Sequence, residues 1–289
     1  STGVKIHLPL LQEFVVQELK SSQGALHSLG ASAIGTIGNT ALGTTETPLV
    51  LVEGQRPGPS TGLPTKTSQA DLRIALHASQ DEFPRVVVAP GNIEECFYLA
   101  AEAFNIAEKF QLPVILLVDK YLVESSRNVF LDQSLVKIDR GEWAKKELGE
   151  DFKRFAFSKD GVSPRSRPGV KGGIFDGASD EHDEKGFLID EPLLRSNMFE
   201  KRMKKLESCL KTLPSPILLG EKNSKNLIVS WGSTKGPVME AITLLKKEKV
   251  DAAFLQVTWL TPFHSEKIKK HLSNFEKIVC VENNYSGQL

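Results

Sequence analysis

Residues 85–119 read RVVVAPGNIEECFYLAAEAFNIAEKFQLPVILLVD, and their pattern predicts the fold class. Two continuous apolar runs, Arg85 to Pro90 and Pro113 to Asp119, enclose a segment whose apolar residues recur at helical spacing. Asn92 stands before that segment as a candidate N-cap, with Glu95 three residues later, as in a capping box. Because uninterrupted apolar strands are typical of a sheet buried on both faces, the stretch predicts a strand, helix, strand unit of a parallel sheet.

A loop rich in proline and glycine, EGQRPGPSTGLPTKTSQ at residues 53–69, follows a predicted strand at Pro48–Val52 and precedes a predicted helix at Gln69–Ala78. It places three prolines and three glycines around one arginine, Arg56. Ligand-binding groups of α/β proteins lie at the carboxyl ends of parallel strands, and a guanidinium suits a carboxylate or a phosphate. Further hydroxyl donors of the loop are Ser60, Thr61, Thr65 and Thr67. The alternative, an arginine that only bonds carbonyls within a rigid loop, stays equally open on these grounds.

The C-terminal part of the chain returns to an α/β rhythm. Strands are predicted at Leu227–Trp231, Ala253–Val257 and Lys277–Glu282, with helices at Pro237–Lys247 and Ser265–Leu272. This alternation predicts a small doubly wound domain. The sequence GSTKG at residues 232–236 lies between a strand and a helix, where a phosphate could bind, but it matches no phosphate-loop pattern and favours a plain turn.

The middle of the chain, residues 124–216, has weaker periodicity and more glycine, proline and charge. A stretch of this length is typically functional, disordered or wrapped over a neighbour. His182, within DEHDE at residues 180–184, could serve a metal or a proton relay, but a polar surface loop or interdomain contact is the favoured interpretation. A helix at Leu194–Leu213 closes the region, and its excess of Lys and Arg predicts a solvated face, with a partner-docking face as the alternative.

Composition excludes several classes of protein. Among 289 residues, Lys plus Arg and Asp plus Glu both number 36, and no basic stripe alternates with aromatics, so nucleic acid is not an expected partner. Apolar runs fall short of the ~20 residues that cross a bilayer, and no signal-peptide pattern opens the chain, so we expect a cytoplasmic protein without membrane contact. The cysteines predict buried or half-buried free thiols rather than a metal site: Cys96, Cys209 and Cys280.

Several long motifs, in order, resemble one family. They include ETPLVLVEGQRPGPSTGLPTKTSQADL, FAFSKDGVSPRSRPGVKGGIFDGASDEHDEKG, VTWLTPFHSEKI and VENNYSGQL. Together with the stretch quoted first, they resemble the α subunit of the 2-oxoacid:ferredoxin oxidoreductases, in the 2-oxoglutarate branch. The resemblance runs from about residue 45 to residue 289.

The resemblance implies a fold and a domain order. The expected fold class is α/β, with a pyrimidine-type domain of a thiamine diphosphate enzyme followed by a doubly wound domain like the transketolase C-terminal domain. We expect the first at residues 1–130, with an incomplete or altered N-terminal part, a linker and interdomain segment at 131–216, and the second at 217–289, truncated at its end.

The resemblance also implies an activity. Family members decarboxylate a 2-oxoacid oxidatively with thiamine diphosphate, pass electrons through iron–sulfur clusters to ferredoxin and form an acyl-CoA from coenzyme A. The α subunit shares the cofactor with a β subunit, which carries Mg²⁺ and a cluster, and a γ subunit is a further candidate partner. By resemblance, Arg56 binds the substrate carboxylate with Ser60, Thr61 and Thr65, and the cofactor lies near Gly58 and Gly62.

The N-terminal segment departs from the family pattern. Neither the YPITP-like motif nor the acidic motif that activates the aminopyrimidine is intact. In one alignment the acidic position falls on Ser21, and in another the acidic segment is missing altogether. Glu18 is the nearest substitute, and no catalytic residue is assigned. A stretch like TSGPGF is also absent between Gly35 and Ala41. Alternatives therefore stay open: a non-catalytic or fragmentary subunit that keeps the partner-binding surfaces, pyruvate or a branched 2-oxoacid as substrate, and a freestanding nucleotide-binding protein.

Overall fold

The computed structural model describes the backbone of residues 4–6 and residues 41–289, except 146 and 150. The predictions that concern Glu18, Ser21 and residues 35–40 lie outside the described residues. The described helices are α1 (Ala41–Thr44), α2 (Leu72–His77), α3 (Ile93–Phe110), α4 (Lys120–Glu124), α5 (Pro192–Thr212), α6 (Lys235–Lys247) and α7 (Ser265–Leu272). The described strands are β1 (Val4–Ile6), β2 (Leu49–Gln55), β3 (Val86–Val88), β4 (Pro113–Asp119), β5 (Arg127–Val129), β6 (Ile217–Gly220), β7 (Asn226–Ser230), β8 (Ala253–Gln256), β9 (Trp259–Thr261) and β10 (Lys277–Val281).

The first sheet has the order β2-β4-β3-β9, in which β2, β4 and β3 are parallel and β9 is antiparallel to β3. Every residue of β4 is buried, as the continuous apolar run predicts. The N-cap prediction for α3 is also confirmed, because the side chain of Asn92 accepts a hydrogen bond from the amide of Glu95 at 2.8 Å. Helix α3 ends at Gln111, whose backbone is left-handed, and the chain enters β4 directly afterwards.

The second sheet has the order β10-β7-β8-β6, with β6 antiparallel to three parallel strands. This confirms the doubly wound arrangement predicted for the C-terminal part. The two sheets share one apolar core, in which Val87 and Ile115 of the first sheet pack with Val229 and Leu255 of the second. Strand β9, from the C-terminal part of the sequence, also extends the first sheet, so the two halves are joined by pairing as well as by packing.

The middle segment, residues 125–191, is mostly irregular where it is described, with β5, a 3-10 turn at Gln133–Leu135 and isolated bridges. It wraps over its own chain. Phe155 is fully buried, the side chain of Gln111 donates to the carbonyl of Ser163 at 2.7 Å, and Arg165 pairs with Glu108 on α3. Of the three alternatives for a segment of this kind, wrapping over a neighbouring part of the protein is the one that the structure shows.

Two predictions about exposure are confirmed only in part. On α5, Arg195, Lys204 and Lys211 are exposed as predicted. Lys201, Arg202 and Lys205 are instead buried, because they face carboxylates of other segments. Cys280 is exposed on β10, whereas Cys96 and Cys209 are buried as predicted. No helix among the described residues combines the length and apolar character needed to cross a bilayer.

Candidate functional site

The Arg56 loop, defined here as residues 56–67, leaves the carboxyl end of β2. Arg56 itself is exposed, and its guanidinium has no hydrogen-bond or ion-pair partner among the residues that the structure describes. The same loop presents the predicted hydroxyl groups to solvent: Ser60, Thr61 and Thr65. The alternative of an arginine occupied with neighbouring carbonyls is therefore not what the described residues show.

The loop is folded back on itself at Gly62. The amide of Leu63 donates to the carbonyl of Pro57 at 3.0 Å, and the amide of Lys66 donates to the carbonyl of Leu63 at 3.0 Å. Gly62 has φ +50°, and a Cβ there would lie 2.0 Å from the oxygen of Pro57. Only glycine fits this position, since a side chain would break the turn. At Gly58 the nearest contact of a Cβ would be 3.8 Å, so glycine is not required there.

Two carboxyl groups lie beneath Arg56. Burial, together with the nearby Asp71, raises the pKa of Glu53 on β2 to about 7. Burial also raises the pKa of Asp71, although its hydrogen bond with the backbone of Arg56 acts in the opposite direction. The side chain of Gln55 accepts from the amide of Asp71 at 3.1 Å and donates to the carbonyl of Val118 at 3.4 Å. The backbone that carries Arg56 is thus held by polar groups that the sequence analysis did not single out.

The neighbouring strand ends are closed by the turn at residues 232–235. Ser233 donates to the carboxylate of Asp119 at the end of β4, and Lys235 pairs with Glu95 at the start of α3. A Cβ on Gly91 would lie 2.6 Å from the side chain of Lys235, so the two segments approach closely. The side chains of the GSTKG segment are thus engaged with protein, in agreement with the plain turn favoured above. The Arg56 loop remains as an open part of this sheet edge.

A buried charge cluster fixes the chain before β2. The carboxylate of Glu46 contacts Lys201 at 2.5 Å and Lys205 at 2.6 Å, and the guanidinium of Arg154 donates to the Glu46 carbonyl at 3.2 Å. Burial alone would raise the pKa of Glu46, but Lys205, Lys201 and Arg154 outweigh it and hold this pKa at about 2. Sequence reasoning missed the cluster, although two lysines four residues apart on one helical face would repel unless an anion lies between them.

His182 is buried, which differs from a polar surface loop, the first of the two favoured interpretations, and leaves the second, a contact between segments. Its ring nitrogens lie 2.8 Å from the carbonyl of Asp183 and 2.9 Å from the carbonyl of Thr44, and the ring packs on Phe155. The neighbouring Glu181 forms a two-point ion pair with Arg202, with distances of 2.8 Å and 2.6 Å. The DEHDE segment therefore attaches the middle segment to α1 and α5. Among the described residues, no group of three or more His, Cys, Asp and Glu side chains is placed to hold a metal ion.

Two cavities lie away from the Arg56 loop. One of about 160 Å³ is lined mainly by apolar groups between α3, the 214–217 segment and Trp259. The other, of about 170 Å³, lies between Phe157 and α5, beside Lys201. Neither of these two cavities is lined by a residue of the Arg56 loop.

The sequence matches two described families in succession. Residues 21–199 match the family "Pyruvate flavodoxin/ferredoxin oxidoreductase, thiamine diP-bdg", and residues 224–289 match "Pyruvate:ferredoxin oxidoreductase core domain II". The first match covers more than half of the chain. The chain therefore belongs to the thiamine diphosphate-binding family of the pyruvate flavodoxin/ferredoxin oxidoreductases. This finding and the two sheets, each of three parallel strands and one antiparallel edge strand, confirm the predicted fold class.

The chain is also similar to individual curated proteins, which are subunits of 2-oxoacid and 2-oxoglutarate oxidoreductases. The chain is 36% identical to 2-oxoacid:ferredoxin oxidoreductase 1, subunit alpha, of Aeropyrum pernix, over 99% of this chain and 48% of that protein. It is 32% identical to 2-oxoglutarate oxidoreductase subunit KorA of Mycobacterium tuberculosis, over 93% of this chain and 40% of that protein. The predicted resemblance to the α subunits of 2-oxoacid:ferredoxin oxidoreductases is confirmed. The chain spans about half the length, or less, of these relatives.

A solved structure has the same fold. The 2-oxoglutarate:ferredoxin oxidoreductase from Magnetococcus marinus, with 2-oxoglutarate, coenzyme A and succinyl-CoA bound, superposes with a TM-score of 0.82 and 26% identity. The match covers 97% of this chain and 54% of that chain.

Proposed function

We propose that this chain forms part of the α subunit of a thiamine diphosphate-dependent 2-oxoacid:ferredoxin oxidoreductase, with 2-oxoglutarate as its substrate. The activity is the oxidative decarboxylation of the 2-oxoacid to an acyl-CoA, with electrons passed to ferredoxin. The observation that carries the proposal is the exposed guanidinium of Arg56, which has no partner among the described residues, at the carboxyl edge of a parallel sheet in a chain of this family. The Magnetococcus marinus structure, which has 2-oxoglutarate, coenzyme A and succinyl-CoA bound, supports the choice of substrates.

Arg56 is assigned the role of substrate anchor. A 2-oxoacid carries a carboxylate beside its reactive carbonyl carbon, and two parallel hydrogen bonds from one guanidinium fix both the position and the plane of that carboxylate. The hydroxyl groups of Ser60, Thr61 and Thr65 supply further donors on the same loop. The folded-back turn at Gly62 holds the loop before substrate arrives, which reduces the entropy lost on binding.

The described residues fit the substrate side of a thiamine site. Their donors are a guanidinium and three hydroxyls, which suit an anionic substrate. We assign the cofactor to the neighbourhood of Gly58, where a Cβ would meet nothing closer than 3.8 Å, and of Gly62, which allows the tight turn of the loop. When bound, thiamine diphosphate supplies the nucleophilic carbon and the electron sink for loss of carbon dioxide. In this proposal a β subunit shares the cofactor and carries Mg²⁺ and iron–sulfur clusters, and a γ subunit is a further candidate partner.

The proposed domain order assigns residues 1–130 to the pyrimidine-type domain, 131–216 to the interdomain segment and 217–289 to the transketolase C-terminal-like domain. The irregular middle segment and the two separate sheets support this division. Strand β9 crosses from the last part of the sequence into the first sheet, so we do not expect the two parts to fold independently.

Reconstitution tests the proposal. The complete α subunit that contains this chain is co-expressed with its β subunit, and reduction of methyl viologen is followed with 2-oxoglutarate, pyruvate or a branched 2-oxoacid. We expect reduction that requires thiamine diphosphate, a 2-oxoacid and coenzyme A, with the highest kcat/KM for 2-oxoglutarate. A complex that assembles and binds the cofactor but reduces no viologen would instead support the non-catalytic alternative.

A further inference from the structure

The segment at residues 282–288, called here the C-terminal turn, lies against the end of the Arg56 loop. Gln69 and Asn283 exchange two hydrogen bonds: the amide of Gln69 donates to the carbonyl of Asn283 at 2.8 Å, and the amide of Asn283 donates to Oε1 of Gln69 at 2.9 Å. The side chain of Gln69 is fully buried and also donates to the carbonyl of Trp231 at 2.9 Å. Both polar atoms of this amide therefore connect the loop end to the second sheet.

Further side chains of the C-terminal turn bond the backbone that follows the loop. Asn284 donates to the carbonyl of Gln69 at 3.1 Å. Gln288 donates to the carbonyl of Ala70 at 2.8 Å and accepts from the amide of Arg73 at 3.3 Å. These bonds join residues more than two hundred positions apart in the sequence, so the contact is made only in the folded protein.

Glu282 holds the C-terminal turn in shape. Its carboxylate accepts from the indole of Trp231 at 3.0 Å, from the side chain of Asn284 at 2.9 Å and from the amide of Gln288 at 3.1 Å. Burial alone would raise the pKa of Glu282, but its hydrogen bonds, led by that from Asn284, outweigh burial and lower this pKa. Asn284 also accepts from the amide of Gly287 at 2.8 Å, so the turn presents its amide groups in a fixed arrangement.

The Arg56 loop is consequently fixed at both ends. Its first residue follows β2, where Gln55 bonds both Asp71 and the neighbouring strand. Its last residue precedes Ser68 and Gln69, which are held by the C-terminal turn. Fixing both ends of a loop reduces the number of conformations that it samples, and thus the cost of placing Arg56 for a ligand.

We propose that the C-terminal turn is a clamp that positions the Arg56 loop, and that Gln69, Asn284 and Gln288 are its positioning residues. The proposal deepens the function proposed above and rests on it where substrate is concerned. These residues act through the loop: their described bonds are to protein, and the charged group for the 2-oxoacid carboxylate stays Arg56. Release of the clamp should weaken substrate binding more than it slows the later chemical steps.

Hydrogen exchange of the complete protein tests the clamp without any activity. The amides of Leu63 and Lys66 are bonded only within the loop, so their exchange reports its order. We expect Asn284→Ala and Gln69→Ala to speed exchange of these two amides about fivefold or more, since each loses hydrogen bonds of ordinary strength. Asn274→Ala is the control, because Asn274 is an exposed asparagine that follows α7 and bonds the carbonyl of Lys270 on that helix.

Because Gln69 is fully buried, Gln69→Ala could lower stability throughout the protein. Asn284→Ala is the decisive variant, and circular dichroism with a melting curve shows that it is folded. Unchanged exchange at Leu63 and Lys66 in folded Asn284→Ala would overturn the proposal.

Steady-state kinetics of the reconstituted enzyme test the functional part. For Asn284→Ala we expect KM for the 2-oxoacid to rise about fivefold, with kcat within about twofold of wild type and Asn274→Ala unchanged. Faster hydrogen exchange in the loop with an unaltered KM would show that the clamp orders the loop without positioning substrate. That result would overturn the proposed role of the clamp in substrate binding. If the wild-type enzyme oxidises no 2-oxoacid, the proposed function fails, while the exchange result still decides whether the clamp exists.

Discussion

The ammonium group of Lys205 lies 2.6 Å from Oε2 of Glu46, and neither side chain is more than 1% exposed. Glu46 has a left-handed backbone, with φ 52°, three residues before β2 begins. Its carboxylate is buried among three cationic side chains, which makes it the anion on which the burial of α5 depends. The strand that leads to Arg56 is thus attached at its start to a helix far along the chain.

Glu46→Gln tests this attachment. The amide has nearly the same shape as the carboxylate but no charge, so it leaves Lys201 and Lys205 buried without a counter-ion. Removing one partner of a buried ion pair costs about 3–5 kcal/mol, and we expect a loss of that size in the free energy of unfolding measured with urea. The control is Glu124→Gln, whose exposed pair with Lys120 contributes less than about 0.5 kcal/mol. Equal losses in the two variants would contradict the account.

The pH dependence of stability tests the same carboxylate. The pKa of Glu46 is about 2 in the folded protein against 4.5 for the free side chain, so the folded state binds fewer protons between these values. Its contribution is therefore complete above pH 4.5 and is lost as the pH falls towards 2. We expect the stability difference between wild type and Glu46→Gln to shrink by roughly 3 kcal/mol across that window. A difference that stays constant from pH 5 to pH 2.5 would rule out the assignment.

Glu53→Gln should act in the opposite direction. The pKa of Glu53 is raised from 4.5 to about 7, so the folded state binds more protons in this range and loses stability as the pH rises through it. We expect Glu53→Gln to unfold like wild type near pH 4 and to be more stable by about 1–3 kcal/mol at pH 8. Urea unfolding at the two pH values measures this, with the exposed Glu82→Gln as control. A variant less stable than wild type at pH 8 would show that the charged carboxylate has a favourable partner.

Gly62→Ala and Gly58→Ala form a matched pair within the loop. Alanine at position 62 would take an unfavourable backbone conformation and clash with Pro57, whereas alanine at position 58 meets nothing closer than 3.8 Å. Because the loop is on the surface, we expect melting temperatures within a few degrees of wild type for both. In the reconstituted enzyme, KM for the 2-oxoacid should rise at least about tenfold for Gly62→Ala and stay within about twofold for Gly58→Ala. Similar kinetics for both variants would contradict the assigned role of the turn.

The elements predicted well from sequence are those set by local signals. Helix α3 has a capping residue and a long apolar repeat, and it begins directly after the predicted cap, Asn92. Strand β4 is a continuous apolar run and has the predicted bounds, Pro113–Asp119. Strands β6 and β9 were not predicted, since each has only three or four residues and pairs antiparallel at a sheet edge. Such short strands depend on the partner that they meet in the folded chain.

The candidate site likewise combines residues with a local sequence signal and residues that depend on long-range contacts. The loop that carries Arg56 and its hydroxyl neighbours could be predicted, because an arginine among prolines and glycines after an apolar strand is a local pattern. The binding role of these residues stays a prediction. The groups that support them could not be predicted. Lys201 pairs with a carboxylate 155 positions away in the sequence, and Gln69 accepts a hydrogen bond from an amide 214 positions away. Contacts between residues so far apart in the sequence produce no periodic pattern from which they could be predicted.

The affinity of the reconstituted enzyme for its 2-oxoacid tests the central claim, that Arg56 binds the substrate carboxylate. Wild type is compared with Arg56→Ala and Arg56→Lys, and with Arg73→Ala as an exposed arginine of α2 outside the loop. Loss of hydrogen bonds from a charged donor should raise KM about 10- to 100-fold in Arg56→Ala, less in Arg56→Lys, and leave Arg73→Ala unchanged. A KM in Arg56→Ala equal to that of wild type would contradict the account.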